Sequence, residues 1–146
     1  YDVRANLMWA STWALNGWIA CGVPEDWATH MIGHEITAFY GLDHAQTLAI
    51  VLPGVMTVLK DQKAKKITRL GKEVFGITGN DAIEKTIQAV EDFFESVGVK
   101  THLSDYGLGD EAIEKVTDRL AQRGWKLGEC GNITADVIKK ILELRK

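Results

Sequence analysis

A chain of 146 residues is long enough for a sizeable hydrophobic core, and 46% hydrophobic with 25% charged content argues against a disordered or fibrous polypeptide. The formal net charge of -3 gives no electrostatic reason to expect a nucleic-acid partner or an anionic membrane surface. Cys21 and Cys130 are too few for a disulfide framework and too far apart for a CxxC site, so they read as free thiols in a reducing cytoplasm. The longest apolar run, Leu48 to Leu52, is far short of a bilayer span and meets Pro53 at once. No basic segment, apolar core and cleavage site open the sequence, so a secretory signal is not expected.

The opening stretch YDVRANLMWASTWALNGWIACG predicts a first helix over Val3–Ala20. Leu7, Ser11, Ala14, Leu15, Trp18 and Ile19 share one face while Trp9 and Trp13 load another, the pattern of a helix buried centrally in a larger protein. With no initiator Met ahead of it, this predicts a piece of a longer chain, whose open apolar surface favours self-association as a homodimer. Asp26 is placed to cap a second helix, Trp27 to Tyr40, which stops at Gly41. A third begins at Asp43 or His44 and runs to about Lys60, with a kink expected at Pro53. Ala64, Ile67, Leu70 and Val74 form the next stripe, closed by Gly76. Asn80 is the expected cap of a helix carrying Ile83, Ile87, Val90, Phe94 and Val97 and ending at Gly98. Ile113, Val116 and Leu120 mark another, up to Gly124. Thr134 is the expected cap of the last, with Asp136 in its first turn and Lys139, Lys140, Arg145 and Lys146 toward its end. No segment sustains period-two alternation, so the expected fold is all-α with about seven helices and no internal linker over residues 1–146.

Three of the four histidines fall in THMIGHEITAFYGLDHAQTLAIVLP: His30, His34 and His44. Four residues apart on one helix, the first two share a face at about 5–6 Å between Cβ atoms. His44, beyond the Gly41 turn, can fold back as a third imidazole, and Asp43 or Glu35 offers a carboxylate. Spacing alone leaves open whether these are metal ligands or hydrogen-bonded structural histidines. Two helical metal motifs fail at once. His34-Glu35 begins an H-E-x-x-H zincin, but Ala38 stands where the second ligand belongs. The carboxylates of an E-x-x-H di-iron site are replaced by Trp27 and Met31. No glycine-rich phosphate loop follows a strand, and Ser11, Ser96 and Ser104 lack a nucleophile-type turn. The tryptophans and Phe39 read as core or as the lining of a small apolar pocket.

The ordered string HMIGHEITAFYGLDHAQTLAIVLP resembles the second signature of iron-containing (group III) alcohol dehydrogenases, within the branch of bacterial NADPH-dependent aldehyde reductases and butanol dehydrogenases. The likeness continues through FFESVGVKTHLSDYGL and LGECGNITADV and so covers essentially the whole chain. It implies the C-terminal helical domain of the dehydroquinate synthase-like, iron-type alcohol dehydrogenase fold, preceded in the full enzyme by an α/β domain that binds NADP or NAD. It also implies hydride transfer to or from a small aldehyde or alcohol, with Fe²⁺ or Zn²⁺ polarising the oxygen. Of the family's four protein ligands, the two histidines fourteen residues apart match His30 and His44. His34 matches a residue lining the cofactor and substrate cleft, hence a catalytic and cofactor-binding position. The upstream Asp and His ligands and the glycine-rich cofactor loop have no counterpart here, so the isolated chain is expected to be inactive. Two other readings are a free-standing helical metal-binding module and an interaction domain with structural histidines.

Overall fold

Hydrophobic stripes at helical spacing, separated by glycines and polar capping residues, produce seven α-helices. The computed structural model describes residues 1–146. The helices are α1 (Asp2–Leu15), α2 (Ala28–Tyr40), α3 (His44–Val58), α4 (Lys60–Leu70), α5 (Ala82–Ser96), α6 (Asp110–Arg123) and α7 (Ala135–Glu143). Extended pairing is confined to one antiparallel bridge, Leu127 with Ile133, so the all-α expectation holds. No helix is long and apolar enough to cross a membrane.

One core cluster joins four helices: Ile32 and Ile36 of α2, Ile50, Val51 and Val55 of α3, Ile113, Val116 and Leu120 of α6, and Ile138, Ile141 and Leu142 of α7. A smaller cluster of Met56, Ile67, Ile87 and Val90 packs α4 and α5 against α3. Each fully buried isoleucine or leucine stabilises the fold by about 1.5–3 kcal/mol relative to exposure. In α2 that burial fixes the rotation of the helix: Ala28, Ile32 and Ile36 turn inward, and His30 and His34 are left on another face.

Several boundaries differ from the expected ones. The first helix stops at Leu15 and not Ala20, because the Asn16 side chain accepts from the Trp18 N–H at 3.1 Å and the chain turns into a short 3₁₀ segment, Trp18–Ala20. None of its residues is buried within this chain, in line with the open apolar surface expected of it, and Trp9, Trp13 and Trp18 stack edge to face at 5.6 and 5.3 Å. Pro53 lies inside α3, and the interruption before α4 falls later, at Leu59. After α4 the chain continues as a π-helical turn, Gly71–Phe75, before the break at Gly76. Asp81, not Asn80, precedes the first residue of α5. Thr134 does occupy the position before α7, but its side chain makes no capping bond.

Candidate metal centre

The centre is built on the α2–α3 hairpin. Gly41 ends α2 in the left-handed region, at φ 71, where a β-carbon would be strained. Asp43 then starts α3 through a capping box: its carboxylate accepts from the Gln46 N–H, and the Gln46 side chain accepts from the Asp43 N–H at 3.0 Å. The two helices approach closely because Gly33 faces Thr47; a β-carbon at Gly33 would stand 2.8 Å from Thr47 Oγ1. This backbone path returns His44, the first residue of α3, to the face of α2 that carries His30 and His34.

All three imidazoles meet. Their ring centroids are 6.1 Å apart for His30 and His34, 5.1 Å for His30 and His44, and 5.2 Å for His34 and His44. One ring nitrogen from each lies within 4.8 Å of the others. His30 is half-buried, while His34 and His44 are exposed. Burial, followed by the neighbouring His44 and His34, lowers the pKa of His30 below its ordinary value. A neutral imidazole at pH 7 is the protonation state a cation requires. In a tetrahedron with Zn–N of about 2.0–2.1 Å, neighbouring donors stand roughly 3.3 Å apart, so modest side-chain rotation would close this set on one ion. Three imidazoles suit zinc and iron alike, so the donor set fits a divalent transition metal.

Neither carboxylate considered as an additional ligand joins them. Asp43 is engaged in the capping box, and Glu35 turns into the core, where its carboxylate pairs with Arg123 Nε of α6 at 2.6 Å. Beside the imidazoles, the Trp27 ring lies 5.0 Å from that of His30, and its Nε1–H donates to Glu25 Oε2 at 3.1 Å. Trp27 and His30 border a recess of about 170 Å³ between the end of α1 and the start of α2. Phe39 lies elsewhere, beneath Lys115 Nζ at 4.6 Å. Asp26 caps the start of α2 as expected, accepting from the Ala28 N–H at 2.8 Å, and also pairs at 2.7 Å with Lys63, which holds Glu129 at 2.7 Å.

A second group escaped the sequence reading. Glu91, Glu95 and His102 also bring donor atoms within 4.8 Å of one another. Here the polar atoms are already engaged: Thr101 Oγ1 donates to Glu91 and Glu95, and Arg145 donates to Glu91, to the Ile50 carbonyl at 3.1 Å and to the Thr101 carbonyl at 2.8 Å. Burial alone would raise the Glu91 carboxyl; hydrogen bonds from Arg145 and Thr101 prevail and hold it below the usual range. Arg145 read as a helix-end charge because its buried partners are 44 to 95 residues away.

A family model described as "Fe-containing alcohol dehydrogenase family, C-terminal" matches residues 1–145. Among curated proteins, the chain is 53% identical over 147 residues to the NADPH-dependent aldehyde reductase YqhD of Escherichia coli strain K12, covering 98% of this chain and 38% of that protein. It is 31% identical over 149 residues to the NADH-dependent butanol dehydrogenase A of Clostridium acetobutylicum, with the same two shares of 98% and 38%. Among solved structures, the substrate- and cofactor-free form of the E. coli aldehyde reductase YqhD superposes with a TM-score of 0.96 at 50% identity, over all of this chain (100%) and 40% of that one. The NADH-dependent butanol dehydrogenase A of Thermotoga maritima gives 0.92 at 33% identity, over 99% and 39%. The chain thus spans about two fifths of the length of these relatives.

Proposed function

The chain belongs to the Fe-containing alcohol dehydrogenase family, whose C-terminal model spans residues 1–145, and from that premise we propose that it is the metal-binding helical part of an NAD(P)-linked alcohol dehydrogenase or aldehyde reductase. The observation that carries the reading is the convergence of His30, His34 and His44 across the Gly41 turn. We assign His30 and His44 as ligands of Fe²⁺ or Zn²⁺, with the remaining ligands and the nicotinamide-binding α/β half outside these residues. The bound cation supplies Lewis-acid polarisation of a carbonyl or alkoxide oxygen. The chain's own residues hold and orient. His30 and His44 present ring nitrogens from two helices, and His34, exposed on the same face, lines the side of the cleft open to nicotinamide and substrate. The exposed apolar side of α1 is the surface we assign to the cofactor half, in an enzyme assembled as a homodimer.

The test is NADPH oxidation with butanal as substrate, run beside metal analysis of each variant in the intact enzyme. His30→Ala and His44→Ala lose both metal and turnover; His34→Ala keeps metal and loses turnover. A second reading has His34 as a ligand, favoured by its nearly equal placement: its ring is 6.1 Å from His30 and 5.2 Å from His44. Loss of metal in His34→Ala with retention in His30→Ala would establish that alternative and remove the first.

A further inference from the structure

A histidine that binds a metal ordinarily has its ring fixed by a hydrogen bond from its other nitrogen to a carboxylate, carbonyl or water. In this chain only His102 has carboxylates beside its ring; the polar contact at the hairpin engages the His44 carbonyl, which accepts from Thr47 Oγ1 at 2.9 Å, and not an imidazole. Against the His30 ring itself, the contact this chain supplies is aromatic. The Trp27 ring packs beside that of His30, tilted 58° to the imidazole with centroids 5.0 Å apart. Trp27 precedes the first residue of α2 and stands three residues before His30, whose side chain leans back toward it along the helix. The indole is itself held, since its Nε1–H donates to Glu25 Oε2 at 3.1 Å.

We propose that Trp27 is the positioning residue of His30, packing against the imidazole so that its ligating nitrogen faces His34 and His44, and that Glu25 fixes Trp27 in turn. The inference rests on His30 being a ligand. An aromatic wall restricts rotation about the His30 side-chain torsions without donating to or accepting from the ring. A tryptophan so used need not be buried to act, and Trp27 remains 40% exposed.

The experiment measures Co²⁺ affinity of the intact enzyme by competition with a chromogenic chelator, together with the visible absorption of the bound Co²⁺. Trp27→Ala weakens binding about tenfold, the lower end of the effect of removing an outer-shell partner, and alters the Co²⁺ spectrum. Trp27→Phe, which retains an aromatic wall, stays within about threefold of wild type, and Glu25→Gln falls between the two. Metal-free thermal stability is recorded for each variant, so that a folding defect in Trp27→Ala is recognised and Trp27→Leu, which keeps bulk without a planar ring, takes its place. Wild-type affinity and spectrum in both Trp27→Ala and Trp27→Leu would overturn the proposal. His30→Ala is the control for the premise: wild-type Co²⁺ affinity there removes the ligand assignment itself, an outcome distinct from failure of the tryptophan's role.

Discussion

His30, His34 and His44 form one trio of potential donors, and Glu91, Glu95 and His102 form another, each with donor atoms within 4.8 Å. By distance they are equivalent; by their surroundings they are opposites. The second trio sits under the Arg145 guanidinium and the Thr101 hydroxyl, which take up its carboxylate oxygens and join α3, α5 and the segment after α5. The first is brought together by backbone devices, the Gly41 turn and the Asp43 capping box, which leave the imidazole nitrogens uncommitted. Proximity of donors therefore does not distinguish a metal centre from a structural knot. Whether other protein groups have already taken up those donors does.

The largest effect is expected where the knot is cut. Arg145→Met leaves Glu91 largely buried without its cation and should lower unfolding free energy by about 3–5 kcal/mol, while the double variant with Glu91→Leu recovers much of it. Urea midpoints of the three proteins check this, and a single variant as stable as wild type would break the contrast. The histidine trio should respond the other way. Zn²⁺ at a hundred times its Kd should raise the stability of the intact enzyme by about 2.7 kcal/mol, whereas His44→Ala loses that increment and shifts metal-free stability by less than about 0.5 kcal/mol, His44 being exposed. Thermal melts with and without metal read both numbers.

A smaller effect tests the brace at the base of α2. Partial burial would raise the Glu129 carboxyl, but hydrogen bonds from Lys63, its own backbone and Gln62 hold it down to about 2. A folded pKa below the unfolded one means that the stabilisation is complete above about pH 4.5 and disappears as pH falls toward about 2. Wild type should exceed Glu129→Gln by on the order of 1–2 kcal/mol at pH 6, with the gap narrowing as pH falls from about 4.5 toward about 2. A pH-independent gap would show that Glu129 acts through packing or neutral hydrogen bonding.

Helix number, the hairpin and the meeting of His30 with His44 were legible because they depend on local rules: apolar spacing, a glycine stop and a polar start. The zincin and di-iron alternatives could be rejected from spacing alone. What sequence could not show was long-range commitment. Glu35 looked available as a ligand until Arg123, 88 residues later, claimed it, and Arg145 looked like a surface charge until three distant segments converged on it. Trp27 presented the same difficulty on a smaller scale: its i to i+3 relation to His30 was visible, but an aromatic at helical spacing reads equally well as core. The first helix was legible in its surface and not in its length, which ends at Leu15. Its apolar composition was read correctly, and nothing within these residues covers it, so Leu7, Trp9 and Trp18 remain exposed.

Gly33 has no donor atom and would be passed over in any search for ligands, yet Thr47 Oγ1 stands 2.8 Å from where its β-carbon would be. The gap between the two histidine-bearing helices is thus metered by an absent methyl group. In a library of variants scored for metal occupancy, position 33 should sort with His30 and His44. Transplanting His30, His34 and His44 onto another helical hairpin without that glycine would carry over the donors and lose their bite.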